Sequence, residues 1–170
     1  LPILQRQCSA LSQHDMTALI EWNRYILACR ESYELRLTDT ALADAMIRLL
    51  KGLTIGGDLF ASLDKTINEP HQISYVTAFA IAASHWQIPS HDAALGYAWA
   101  WLENQIAAAT KLTLFGQLTA QKALDVLIPV AEDAVKQSLT ISDDAIGTSL
   151  PGLAMASSHH ETQYSRLFRS

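Results

Sequence analysis

The chain has 170 residues, 49% of them hydrophobic and 17% charged, and a formal net charge of −5. That length fits one domain and buries roughly 70% of the surface exposed by the unfolded chain, so a core needs no disulfide or metal staple. No Lys/Arg block exists to neutralise phosphates, which argues against nucleic acid as a partner, and no run reaches the roughly 18 apolar residues of a membrane span.

The first stretch, Leu1-Pro2-Ile3-Leu4, has no charged n-region and does not read as a signal peptide. Because the chain opens on Leu rather than Met, an upstream segment is expected, covering apolar surface near Leu1 to Leu11. Residues 1–11 read only as the end of an element. Ser12 and Asp15 offer caps for a helix through about Glu31, with Met16, Leu19, Ile20, Ile26 and Leu27 on one face. Cys8 and Cys29 share neither CxxC nor zinc spacing; they read as core residues and fit a reducing, cytoplasmic compartment.

Thr38 or Asp39 is the expected cap of a second helix, whose Leu42, Ala45, Met46, Leu49, Leu50 and Leu53 keep helical spacing. Gly56-Gly57-Asp58 reads as a turn; without GxxxxGK it is no phosphate loop. A short helix is expected over 58–67, and Asn68-Glu69-Pro70 breaks the chain. The next helix spans about Gln72 to Gln87, and its middle, Val76 through Ala83, is apolar and mostly small, so it is expected to pack deeply beside the helix that follows. His85 near its end reads as structural, facing the negative end of the helix dipole.

The short Pro89-Ser90 link predicts an antiparallel partner helix, about 91–111, with Ser90 as its cap. Asp92 and Lys111 suit its dipole. Leu95, Ala98, Trp99, Leu102, Ile106 and Ala109 form one stripe; Gly96, Ala100 and Ala107 form another, and Trp101 points away from Trp99. A helix apolar on most sides is expected to be surrounded by others, so this one is predicted to be the buried centre. Leu114-Phe115-Gly116-Gln117 turns into an amphipathic run from Leu124 to Leu139, which Pro129 should kink or divide. Residues 141–158, rich in Ser, Gly, Asp and Ala, read as an irregular arm. The predicted fold class is an all-α bundle of about six to eight helices around the central helix.

Three chemistries compete for the remaining residues. His159, His160 and Glu161, with Glu103, are candidates for a small helical metal- or ligand-binding enzyme, although HHE is not HExxH and zinc needs further ligands. Against this, Glu103 reads as a pair for Arg36 or Arg48. Tyr97, Trp99 and Trp101 are candidates for lining a sensing pocket, against a plain reading as core aromatics. The tail carries a Tyr, a Phe and two Arg, residue types that anchor protein interfaces. An arginine finger from Arg166 or Arg169 toward a GTPase competes there with a simple carboxylate pair, and the tail itself with a fold back onto its own core.

The tail HHETQYSRLFRS, the central LGYAWAWLENQ from Leu95 to Gln105, the LFGQ segment with Gln121, and Ser32-Tyr33-Glu34-Leu35-Arg36 together resemble the UreF family of urease accessory proteins, in order and spacing over essentially the whole chain. The resemblance implies an all-helical, usually dimeric, non-enzymatic chaperone without catalytic residues, cofactor or metal of its own, which acts in nickel insertion into urease. It implies binding to UreD (UreH), recruitment or regulation of the GTPase UreG, and access through that complex to the urease apoprotein. It divides the chain into a bundle, 1–157, and a partner-binding tail, 158–170, with Tyr164, Arg166, Leu167, Phe168 and Arg169 as contacts on UreD. One departure is an N-terminal Ser-x-Gly-Leu-Glu-like motif, usual in the family and absent here.

Overall fold

The computed structural model describes residues 1–67, 72–112, 116–147 and 149–164. Among the described residues there are eight α-helices, one short 3-10 turn at Asp143–Ala145 and no strand. The helices are α1 (Pro2–Ser12), α2 (Met16–Ala28), α3 (Tyr33–Gly52), α4 (Gly57–Ile67), α5 (Tyr75–His85), α6 (Ser90–Lys111), α7 (Gln117–Ser138) and α8 (Pro151–Glu161). No helix among the described residues is long and apolar enough to cross a membrane.

The innermost helix is α5. Val76, Thr77, Ala78, Ala80, Ile81, Ala82 and Ala83 are all buried. Their small side chains let α1 and α3 lie against it, with α6 alongside and α7 packed on α6. Two apolar clusters meet at α5. Leu19, Ala43, Leu50, Phe60, Leu63 and Ile81 join it to α2, α3 and α4. Ile3, Leu4, Val76, Ala80, Ala98 and Val135 join it to α1, α6 and α7.

This corrects the expected centre. The helix at 90–111 forms as predicted, but it is not enclosed. It buries Ala93, Ala94, Ala98 and Leu102, while Trp99 is 43% and Trp101 57% exposed. Its buried side, which carries Ala94 and Ala98, packs against α1, α5 and α7, while the Trp99 and Trp101 indoles stay largely in solvent.

Local signals explain most boundaries. The Asp15 carboxylate accepts from the Ala18 N–H at 2.9 Å and caps α2. Ser74 caps α5 by accepting from Thr77 N–H. For α3 the cap is Ser32, accepting from Leu35 N–H, rather than Thr38 or Asp39. Ser90 is the first residue of α6, and Pro89 precedes it with no side-chain cap. Residues 2–12 form a full helix, and α7 runs through Pro129 as one element. The second part of the supposed irregular arm, residues 151–158, belongs to α8, which opens on Pro151, where a missing N–H removes no helical bond.

One polar junction lies inside the core. Asn23 is fully buried; its Oδ1 accepts from Ser74 N–H at 2.9 Å and from the Thr77 hydroxyl at 2.8 Å. Its Nδ2 donates to the Gln72 carbonyl at 2.7 Å, and Gln7 Nε2 donates to Thr77 Oγ1 at 2.6 Å. The junction ties α1 and α2 to the start of α5.

Candidate partner-binding surface

The C-terminal end is fastened through α3. The Ser157 and Ser32 hydroxyls are 2.7 Å apart and buried. His160 Nδ1 lies 2.7 Å from Glu34 Oε2, and the Glu161 carboxylate accepts from Glu34 N–H at 3.1 Å. Thus the residues that position α8 are the first turn of α3, where Ser32 is already fixed by its capping bond to Leu35. α8 runs across Ser157 and Ser158 and ends at Glu161. Three residues later Tyr164 stands fully exposed. Arg166, Leu167, Phe168 and Arg169 lie outside the described residues.

The alternative site residues are placed otherwise. His160 and Glu161 are engaged with Glu34, and His159 is exposed. Glu103 is exposed on α6, and Arg36 donates to Gln72 Oε1 at 2.8 Å rather than to Glu103. Among the described residues no three His, Cys, Asp or Glu are gathered so as to hold a metal ion. His85 stacks edge-on against Trp86 at 5.7 Å. Cys8 is half-buried, and burial pushes its thiol up.

The aromatic residues separate into two kinds. Tyr97 is interior: it meets Phe79 edge-on at 5.3 Å and Tyr75 at 5.8 Å. Burial first, then the Asp39 carboxylate, pushes its phenol up to about 12. Tyr97 and Trp101 both line a cleft of about 430 Å³ bounded by α2, α5, α6 and α7, and Trp99 is not among its lining. Ile26, Val76, Leu102, Leu127 and Ala131 also line it, together with Arg30.

Sequence reading missed how that arginine is held. Arg30 Nε donates to Asp39 Oδ2 at 2.6 Å, and Asp39 Oδ1 accepts from Tyr75 N–H at 2.7 Å. Leu1 also lines the cleft. Beyond the cleft, large apolar side chains stand exposed on three helices: Leu42 and Leu49 of α3, Leu118 and Val126 of α7, and Leu153 and Met155 of α8.

Comparison with known proteins decides the family. The UreF family model matches residues 1–128.

The chain belongs to the UreF family.

Over 170 residues, all of this chain, it is 47% identical to a protein of Marinomonas sp., of which the match covers 70%. It is 43% identical to a protein of Psychrobacter cryohalolentis and 42% identical to one of Chromohalobacter salexigens, in each case over the whole chain and 71% of the relative. All three are named urease accessory protein UreF. The UreF family model stops within α7, whereas the likeness to these relatives continues through α8 and the tail.

Proposed function

We propose that the chain is a urease accessory protein that works by binding rather than by catalysis. In this reading it docks on UreD (UreH) through residues 158–170, and the resulting complex recruits or regulates the GTPase UreG and delivers nickel to the urease apoprotein. The observation that carries the reading is the 47% identity to a urease accessory protein UreF, sustained over every residue of the chain, tail included.

The geometry supports it in two ways. First, α8 is pinned to α3 by Ser157, His160 and Glu161, which gives the following residues a fixed point of departure. Second, Tyr164 stands clear of the bundle, where an aromatic ring has much to gain from burial against a partner. Arg166 and Arg169 then offer bidentate donors to carboxylates on UreD, with Leu167 and Phe168 supplying apolar contact. The protein is expected to act as a homodimer in the cytoplasm.

Capture of purified UreD by the intact chain and by a chain ending at Ser157 tests this directly. The intact chain should retain UreD and the shortened one should lose it. Equal retention by both removes the tail from the interface.

A further inference from the structure

We propose that the cleft between α2, α5, α6 and α7 is a second docking site, separate from the tail, that receives a bulky apolar side chain of a partner polypeptide together with a carboxylate next to it.

The cleft has the size of a binding pocket: about 430 Å³, within the roughly 300–1,000 Å³ usual for such sites. Its walls are Ile26, Val76, Leu102 and Leu127, with no acidic residue among its lining. Its one side-chain charge is Arg30. That guanidinium is held in place, because Nε is bonded to Asp39 Oδ2 and Asp39 is itself anchored on the Tyr75 N–H. Asp39 has 5% of its side chain exposed and both oxygens engaged, whereas Arg30 keeps 31% of its side chain exposed. Among the described residues no partner is seen for its two terminal nitrogens. A fixed guanidinium with its fork available is suited to bidentate capture of a carboxylate.

The rim identifies the kind of ligand. Trp101 and Val130 stand on the lip, and Val130 is 58% exposed. Val126, one helical turn earlier on α7, continues the apolar surface outward. A small molecule filling the cleft leaves that rim in water. A polypeptide inserts one side chain and lays its backbone over the rim.

The test pans a library of random displayed heptapeptides against the protein and against Ala134→Trp. Ala134 lines the cleft but is exposed, so the new indole blocks the mouth without entering the core. Peptides retained by the native protein should pair Leu, Phe, Trp or Met with a neighbouring Asp or Glu, and Ala134→Trp should cut their retention about ten-fold or more. Arg30→Met should abolish the acid preference while keeping the apolar one. Enrichment without an acid, or enrichment that survives Ala134→Trp, overturns the proposal. So does no enrichment. Two other occupants are covered: if Ala134→Trp dissociates a self-associated protein in sedimentation velocity, the cleft holds a second copy, and if a chain extended upstream of Leu1 no longer retains the peptides, its own upstream segment fills the cleft; either result makes the proposal wrong. Removing residues 158–170 should leave peptide retention unchanged, so this site and the tail stand or fall separately.

Discussion

Replacing Asn23 by Leu tests the polar junction on which the placement of α5 depends. Leu has nearly the same size but neither donor nor acceptor. The change strands the Ser74 N–H and the Gln72 carbonyl, both now bonded to Asn23. The Thr77 hydroxyl loses its acceptor but lies 2.9 Å from Ser74 Oγ and can turn to it. The buried Ser74 N–H at about 1–3 kcal/mol and a smaller cost for the part-buried Gln72 carbonyl, offset in part by the buried Leu, give a destabilisation of about 2 kcal/mol. For a chain of this length that lowers Tm by about 4–8 °C. Thermal unfolding followed by circular dichroism, with urea titration as a check, reads the effect. A loss below about 1 kcal/mol would refute the reasoning, because buried backbone groups would then be finding other partners.

Two further variants follow from the same structure. Ser32→Ala removes both the α3 cap and the buried hydroxyl contact to Ser157; it should cost about 1–2 kcal/mol and raise amide exchange in α8 more than in α5. Tyr97→Phe should flatten the alkaline end of the stability profile. The folded phenol is held at about 12 against an ordinary value of 10.0, so its contribution is fully present below pH 10 and is lost as pH rises toward 12. Urea titrations at pH 9 and pH 11 should therefore show a smaller drop in the variant than in the native protein.

Elements with strong ends were legible in the sequence. Asp15 caps α2 and Pro89 precedes α6, and each marks its helix through chemistry that acts within one turn. The depth of α5 was legible in its small apolar middle, but that of α6 was not. Periodicity counts apolar side chains and does not say which face another helix covers. The two indoles of α6 made it look central, while α5, built largely of Ala between Val76 and Ala83, has almost no stripe to detect and is nonetheless the helix the others surround. α8 was hidden for a related reason: a Ser-, Gly- and Ala-rich composition outweighed the single positional signal of Pro151.

The candidate surfaces divide in the same way. Tyr164 was identified from its residue type and its place in the tail, and it is fully exposed. The fastening of α8 was out of reach, because Ser32 and Ser157 are 125 residues apart and neither carries a motif. Likewise Arg30, Asp39 and the Tyr75 N–H meet only once α2, α3 and α5 have packed. Both arrangements are products of tertiary contact, which local patterning does not encode.

The most direct measurement is made in cells that express urease but lack UreF. Urease purified after supplying the intact chain should contain nickel and be active, and urease purified after supplying the chain ending at Ser157 should contain little nickel and be inactive. Nickel-loaded urease from both, or from neither, would contradict the account.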